Sequence, residues 1–271
     1  MVPAINYTHI VLIPKVKKQE NMVDFRLISL CNVIYKIISK VLANRLKLIL
    51  PQLISPTESA FVPGRLITNN VLVAYETLHA MHIRKKWRKG VWALKLDISK
   101  AYDRVEWDFV KGMMIKLRFP GVWMDRVMCC VSTTSFSVWI NGKVYENITL
   151  SRSIHQGDLL SPYLFLICAK GFTSLLTKAE FEGRLHGLSV YRSALSITNL
   201  LFTDDSLIFC QANKDEVQVV SNLWILINSI DKFFYKLFYI YMCVYVCAHA
   251  CVCFGGEGGG AGGGGWLKCP H

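Results

Sequence analysis

The sequence is short of acidic residues, with 19 Asp and Glu against 31 Lys and Arg, and the net charge is +12 over 271 residues. A basic excess of this size favours a polyanionic partner, either a nucleic acid or an anionic membrane surface. The first ten residues, MVPAINYTHI, also lack the basic start and long apolar run of a signal peptide. We therefore expect a protein that is not secreted and acts inside the cell, in the nucleus or the cytoplasm.

Paired cysteine motifs are missing, although the chain has ten cysteines. Five of them are scattered through apolar runs, where a thiol is an ordinary small core group. The cysteines after residue 240 form no set of CxxC pairs, and His249 alone does not complete a zinc site. We therefore do not expect a metal–thiolate site.

Charged side chains are absent between Leu237 and Gly256. The apolar part, 237–254, is 18 residues long, which is enough to suggest a membrane span. Its monotony and the GGEGGGAGGGG run that follows are more typical of low-complexity sequence. We interpret 231–271 as an unrelated low-complexity tail, with a membrane segment as the alternative and no membrane partner favoured.

The remaining chain alternates short strand patterns with helical ones, so we expect both strands and helices. In the helix predicted over 32–50, Pro51 is expected to end the helix. The residues assigned to its apolar face are Val33, Ile34, Ile37, Ile38, Val41, Leu42, Leu46 and Ile49. The basic cluster RKKWRK is interpreted as a solvated loop, with phosphate contact or nuclear import as alternatives. Further helices are predicted over 68–83, 107–117, 122–131, 161–178 and 214–229, and strands over 8–13, 28–30, 91–97, 135–140, 143–148, 188–190, 197–202 and 207–209.

Two adjacent carboxylates, Asp204 and Asp205, lie between apolar runs in LLFTDDSLIFC, a pattern typical of a hairpin. Neighbouring carboxylates repel each other unless a divalent cation neutralises them. Asp97, at the end of the strand in ALKLDISKAY, is a candidate third ligand. Carboxylates from separate elements can hold two Mg²⁺ ions, with Mn²⁺ as an alternative. Taken singly, each motif is better explained by solvated acidic residues in a turn.

The order of the motifs adds information. The runs HIVLIPKVKKQENMVDFRLISLCNVIYKIISKVLANRLK, ESAFVPGRLITNNVLVAYE, ALKLDISKAYDRVEW, SIHQGDLLSPYLF and LLFTDDSLIF follow one another along the chain. Together they resemble the reverse transcriptase domain of a plant non-LTR retrotransposon of the long interspersed element type, over about residues 7–223. The resemblance implies an α+β fold of the right-hand polymerase type, with fingers in 1–90, a palm with catalytic aspartates in 91–230, and truncation before the thumb.

The resemblance also implies roles for individual residues. These are the metal-binding, catalytic Asp97, Asp204 and Asp205, the nucleotide-binding Tyr102, Gln156, Gly157 and Arg26, and the nucleic-acid-binding Ser161 and Pro162. Without it, Tyr102 would be a core aromatic residue, Gln156 part of a plain loop before a helix, and Arg26 a partner in a surface salt bridge. The implied partners are an RNA template, a DNA primer and deoxynucleoside triphosphates.

Some positions depart from the family pattern. Thr203 stands where Ala is usual, and His155 where Arg is usual. Leu27 and Leu159 stand where Pro is usual. The expected function is RNA-directed DNA polymerase activity by a two-metal mechanism. A non-catalytic nucleic-acid-binding remnant and a membrane-anchored protein are the alternatives.

Overall fold

The architecture consists of two four-stranded sheets and the helices packed against them. A computed structural model of the chain describes residues 5–83, 90–97, 101–191, 195–202, 205–230 and 241–245. Its helices are α1 (Val33–Leu53), α2 (Ile67–Ile83), α3 (Trp107–Lys116), α4 (Gly121–Ser132), α5 (Ser161–Phe181) and α6 (Lys214–Ile230). Its strands are β1 (Tyr7–Pro14), β2 (Phe25–Cys31), β3 (Val91–Asp97), β4 (Ser135–Ile140), β5 (Lys143–Thr149), β6 (Asn199–Phe202), β7 (Asp205–Gln211) and β8 (Tyr241–Tyr245).

The first sheet has the strand order β2-β1-β4-β5. The β1–β4 pair is parallel, whereas β1–β2 and β4–β5 are antiparallel. Asn141 and Gly142, which connect β4 to β5, have φ angles of 49° and 78°. A two-residue turn with two positive φ angles matches the twist of the flanking strands. The hairpin predicted at this Asn-Gly pair is therefore confirmed.

The second sheet has the order β6-β7-β3-β8, and all of its strand pairs are antiparallel. The predicted hairpin of β6 and β7 is confirmed, and β7 is longer than expected. Tyr241–Tyr245, within the segment interpreted as an unrelated tail, pairs with β3 along the side opposite β7. Backbone groups along an unpaired strand edge accept any extended segment, so an aromatic and β-branched stretch suits that place.

The core is centred on α5. Leu164, Phe165, Leu166 and Ile167 are four consecutive residues that are completely buried. A helix that is apolar all round must be covered on several sides, and α5 indeed packs against α1, α3 and α6. Each large apolar side chain buried in this way contributes about 1.5–3 kcal/mol.

The apolar face assigned to α1 was right only in part, because Leu42 and Leu46 are buried but most of the other assigned residues are not. Val33, Ile37 and Val41 are 71%, 59% and 47% exposed. The buried face carries Tyr35 and Leu42, together with other small and apolar residues. The helix has two faces with apolar residues, and its own periodicity cannot decide which one meets the rest of the protein.

The end predicted for α1 was also wrong, because the helix continues through Pro51 to Leu53. Proline removes one backbone donor, and the last carbonyls of a helix need donors from elsewhere. The Arg65 guanidinium supplies them, donating to the carbonyl oxygens of Pro51 (3.1 Å) and Ile54 (3.2 Å). It also donates to the carbonyl oxygen of Glu58 at 2.7 Å. One side chain therefore supplies hydrogen-bond donors both to the end of the helix and to the loop that follows.

Other bounds differ only slightly from expectation. β2 is longer than the strand predicted at 28–30, and the strand predicted at 188–190 is reduced to a single bridge between Leu188 and Ile197. RKKWRK, at 84–89, lies outside the described residues. Within the part of the chain that the structure covers, no helix combines the length and the apolar character that crossing a membrane requires.

Candidate active site

Two of the three predicted aspartates, Asp97 and Asp205, belong to neighbouring strands of the second sheet. Asp97, the last residue of β3, lies directly opposite Asp205, the first residue of β7. Phe202 is in turn opposite Asp205 in the β6–β7 hairpin, so Thr203 and Asp204 form its connection. Both of these connecting residues lie outside the described ranges. The ladder therefore brings Asp97 and Asp205 together, with Asp204 next to Asp205 in the chain.

Burial of the flanking residues holds this register in place. On one face of the sheet, Leu94 and Leu96 of β3 are 2% exposed, and Ile208 and Cys210 of β7 are fully buried. A slip of one residue would move every side chain of a strand to the opposite face of the sheet. The apolar residues of the two strands therefore fix the position of the two aspartates.

Sequence reasoning missed a cation at this site. The Lys95 ammonium nitrogen lies 3.0 Å from Oδ2 of Asp205, and both side chains are partly exposed. The signal was present in the sequence, since a lysine inside the apolar strand ALKLD needs a polar partner or solvent. Lys95 neutralises part of the negative charge of Asp205.

The described residues contain no cluster of three His, Cys, Asp or Glu side chains arranged to hold a metal ion. The ladder nevertheless places two aspartates opposite each other. Oxygen donors from a few carboxylates are the protein ligands that Mg²⁺ prefers. The donor set formed by Asp97, Asp205 and the adjacent Asp204 therefore fits that ion in its chemistry.

Tyr102 lies in a short 3₁₀ segment, Ala101–Arg104, soon after β3. Its ring stacks on that of Phe165, with centroids 5.5 Å apart and planes 7° apart. Its carbonyl oxygen accepts a hydrogen bond from the Ile154 N–H at 2.9 Å. Tyr102 is only half-buried, so the ring is held by the core and still reaches the surface.

Gln156 and Gly157 form an exposed loop that is attached to β2. The Ser29 N–H donates to the carbonyl oxygen of Gln156 at 2.9 Å. Gly157 has a φ angle of +106°, and a Cβ atom there would lie 3.2 Å from the carbonyl oxygen of Ser29. Glycine is therefore required both by the backbone conformation and by the close approach of β2. Arg26 is exposed on the same strand, three residues before Ser29.

The two residues predicted to contact nucleic acid at the start of α5 differ in exposure. Pro162 is partly exposed. Ser161 is 2% exposed, and its hydroxyl donates to Oδ2 of Asp158 at 3.4 Å. The same oxygen accepts a hydrogen bond from the Tyr35 hydroxyl at 3.2 Å. The Ser161 side chain therefore points into the protein, toward an aspartate that the motif analysis passed over.

The charge of Asp158 acts on other buried titratable groups nearby. Burial, followed by the charge of Asp158, raises the pKa of Tyr35, so its hydroxyl stays protonated. Burial lowers the pKa of His155, against the pull of the same carboxylate. The His155 ring packs edge-on against Phe136, with centroids 4.8 Å apart. The loop is thus anchored inside the protein on both sides of its exposed residues.

A second buried carboxylate lies close to the hairpin. Glu58 is fully buried and forms a parallel bridge with Leu201 of β6. The Asn70 side chain donates to the carbonyl oxygens of Thr57 (2.8 Å) and Leu201 (3.1 Å). Within the described residues, neither carboxylate oxygen of Glu58 has a hydrogen-bond partner. Burial raises the pKa of Glu58 to about 8.

Comparison with known proteins identifies one matching family and several relatives. The family model described as "Reverse transcriptase (RNA-dependent DNA polymerase)" matches residues 13–237. An uncharacterized 149 kDa protein of transposon TX1 from Xenopus laevis is 28% identical over 200 residues, which cover 74% of this chain and 15% of that protein. The Pol polyprotein of retrotransposable element R2 from Popillia japonica is 25% identical over 157 residues, which cover 57% of this chain and 21% of that protein. The chain therefore spans a small part of these relatives.

A solved structure shows the same fold. Apo telomerase from Candida tropicalis, truncated from the C-terminal domain, superposes with a TM-score of 0.53. The alignment covers 89% of this chain and 49% of the telomerase chain, at 12% sequence identity. At that identity the likeness concerns the fold alone.

Proposed function

Because this chain belongs to the reverse transcriptase (RNA-dependent DNA polymerase) family, we propose that it catalyses template-directed addition of deoxynucleotides to a primer 3′-hydroxyl. It carries a reverse transcriptase domain of the non-LTR retrotransposon type, as its relatives in transposon TX1 and element R2 indicate. The predicted family and the α+β polymerase fold are confirmed. Plant origin stays a prediction that rests on the motif resemblance.

The observation that carries the proposal is the register of Asp97 opposite Asp205. We assign Asp97, Asp204 and Asp205 as the residues that hold divalent metal, which the family generally uses. When bound, two Mg²⁺ or Mn²⁺ ions supply activation of the primer hydroxyl and stabilise charge on the leaving pyrophosphate. The carboxylates of this chain contribute the negative charge that such ions need, and Lys95 limits their mutual repulsion before metal arrives.

The surrounding residues form the proposed nucleotide pocket. Tyr102, held against Phe165, presents an aromatic ring beneath the sugar and leaves no room for a 2′-hydroxyl. Gln156 offers a side-chain amide to the nucleotide, and Gly157 lets backbone approach it closely. Arg26, which is exposed on β2, is assigned to bind the triphosphate.

The family binds a nucleic-acid template. We propose that an RNA template and a DNA primer lie in a cleft where basic side chains contact the phosphates without reading the sequence. An RNA–DNA hybrid is close to A-form, so groove shape and backbone contacts dominate its recognition. Pro162, which is partly exposed near the start of α5, is assigned to the template side. Ser161 acts there through the loop, since its hydroxyl is engaged with Asp158.

The test is primer extension on an RNA template in Mg²⁺, with Asp97→Asn, Asp204→Asn and Asp205→Asn. Each substitution removes a charge from the metal site and is expected to lower incorporation by about a hundredfold or more. Asp215→Asn, at an exposed position in α6, is the matched control and is expected to retain wild-type incorporation.

The alternative is a non-catalytic nucleic-acid-binding remnant, which the departure at Thr203 and the net charge of +12 favour. It predicts salt-sensitive binding of the primer–template by a wild-type chain that incorporates nothing. Such a result, with the chain folded, would replace the polymerase proposal by the remnant.

A further inference from the structure

We propose that Asp158 is a positioning residue for the incoming nucleotide: held by Tyr35 and Ser161, it fixes the Gln156–Gly157 loop against β2. The inference deepens the proposed function and rests on it for the identity of the ligand. The contacts that hold the loop are properties of the fold alone.

A single oxygen joins two helices at this point. Oδ2 of Asp158 accepts hydrogen bonds from the Tyr35 hydroxyl in α1 (3.2 Å) and from the Ser161 hydroxyl at the start of α5 (3.4 Å). Asp158 is 5% exposed and Tyr35 is 1% exposed. The second oxygen, Oδ1, has no hydrogen-bond partner within the described part of the chain. The carboxylate is therefore clamped through one atom.

Burying a carboxylate is energetically unfavourable. Removing such a charge from water costs several kcal/mol, and apolar residues of similar volume often stabilise a core as well or better. The N-terminal end of α5 offsets part of that cost, because it attracts negative charge. Asp158 lies close to this end, three residues before Ser161, the first residue of the helix. This arrangement is weak as a stability device, but it defines the position of the loop closely.

The hydrogen bonds that hold Asp158 are connected to the proposed nucleotide pocket through the neighbouring residues Gly157 and Gln156. Gly157 precedes Asp158 and approaches the Ser29 carbonyl oxygen so closely that a Cβ atom would lie 3.2 Å from it. Gln156 accepts a hydrogen bond from the Ser29 N–H at 2.9 Å. Ser29 belongs to the strand that carries Arg26. A shift of Asp158 therefore changes where Gln156 and Gly157 lie relative to Arg26.

Tyr35→Phe is the decisive variant, because it removes one hydroxyl and keeps the ring that packs in the core. Three quantities are measured: amide hydrogen exchange at Ser29, the KM and kcat for deoxynucleotides, and the equilibrium Kd of a deoxynucleoside triphosphate for the chain–primer–template complex. We expect faster exchange at Ser29 and a KM and Kd raised about threefold to tenfold, the effect of one hydrogen bond. The kcat and the primer–template affinity are expected to stay within about twofold, since the metal site is untouched.

Two further variants separate positioning from packing. Asp158→Asn keeps an acceptor oxygen and is expected to stay within about threefold of the wild-type nucleotide Kd, whereas Asp158→Ala is expected to weaken it at least as much as Tyr35→Phe. Thr173→Val is the control, because the Thr173 hydroxyl is also buried in α5 but donates only to carbonyl oxygens of its own helix. It is expected to leave both Ser29 exchange and the nucleotide Kd at wild-type values.

Wild-type exchange at Ser29 together with a wild-type nucleotide Kd in Tyr35→Phe would overturn the inference. A fall in kcat with KM unchanged would do the same. If the wild-type chain incorporates nothing, the proposed function fails. Ser29 exchange and the nucleotide Kd still decide the role of Asp158, so the two failures are distinguishable.

Discussion

The ammonium nitrogen of Lys95 lies 3.0 Å from Oδ2 of Asp205, across the ladder that joins β3 to β7. A cationic side chain thus lies against a carboxylate that we assign to the binding of divalent metal. Both side chains are more than a third exposed, so the pair contributes at most about 1 kcal/mol to stability. Its larger effect is on the charge that an incoming metal ion meets.

Lys95→Met is expected to lower the Mg²⁺ concentration at half-maximal primer extension about twofold to fivefold, because one competing positive charge is gone. The measurement is a Mg²⁺ titration of incorporation, together with the rise in Tm that Mg²⁺ produces. Lys178→Met breaks a pair with Glu182 at the far end of α5 and serves as the control. A higher Mg²⁺ requirement in Lys95→Met would show that Lys95 helps to assemble the site.

Glu58→Gln is expected to stabilise the protein at alkaline pH. The folded pKa of Glu58, about 8, is above the ordinary value of 4.5. The folded state therefore holds a proton that the unfolded state releases between these two values. Stability from the neutral carboxyl is fully present below about pH 4.5 and is lost as pH rises toward about 8.

Urea unfolding at pH 4.5 and pH 8.5 measures this difference. Glu58→Gln is expected to exceed the wild type by a few kcal/mol, to order of magnitude, at the higher pH and to match it at the lower pH. Glu76→Gln, at an exposed position of α2, is the control. Equal pH dependence in Glu58→Gln and the wild type would mean that Glu58 has a partner in solution.

Gly157→Ala is expected to destabilise the protein by about 1–3 kcal/mol and to raise the KM for deoxynucleotides. The φ angle of +106° disfavours any side chain, and the new Cβ would crowd the Ser29 carbonyl oxygen. Gly112→Ala in α3 is the counterpart, with open space around the added methyl group. It is expected to stabilise by about 0.5–1 kcal/mol. Thermal unfolding of both variants reports the contrast, and similar Tm shifts would contradict it.

Arg65→Ala is expected to cost about 2–4 kcal/mol of unfolding free energy, because several carbonyl oxygens lose a charged donor. The helix end at Pro51 and the loop at Glu58 lose it together. Arg65→Lys is expected to recover less than half of the loss, since a single ammonium group cannot reproduce the planar fork. Chemical denaturation measures both variants. Full recovery by lysine would show that charge alone suffices.

Much of the secondary structure followed from local patterns. The Asn141-Gly142 turn and the hairpin around Asp205 were predictable because turn chemistry and apolar alternation act within a few residues. The helix predicted from Ser161 was similarly clear, since its apolar run has no competing pattern. The assignment of a metal site to Asp97, Asp204 and Asp205 came from motif order, and it stays a prediction for all three residues. Asp204 also lies outside the described residues.

Other features depended on contacts between distant parts of the chain. The buried face of α1 is the one with Tyr35, because Asp158, 123 residues later, lies there. The helix continues past Pro51 because Arg65 reaches its last carbonyl groups. Ser161 points inward for the same kind of reason, since Asp158 accepts its hydroxyl.

The sequence by itself determined the family, the basic character and the identity of the candidate metal ligands, because these depend on residue types and their order. The tertiary structure decided the register of Asp97 opposite Asp205, the cation at Lys95 and the clamp at Asp158. These are pairings between residues far apart in the chain. They are selected by burial of whole strands and helices, a global quantity that no local window contains.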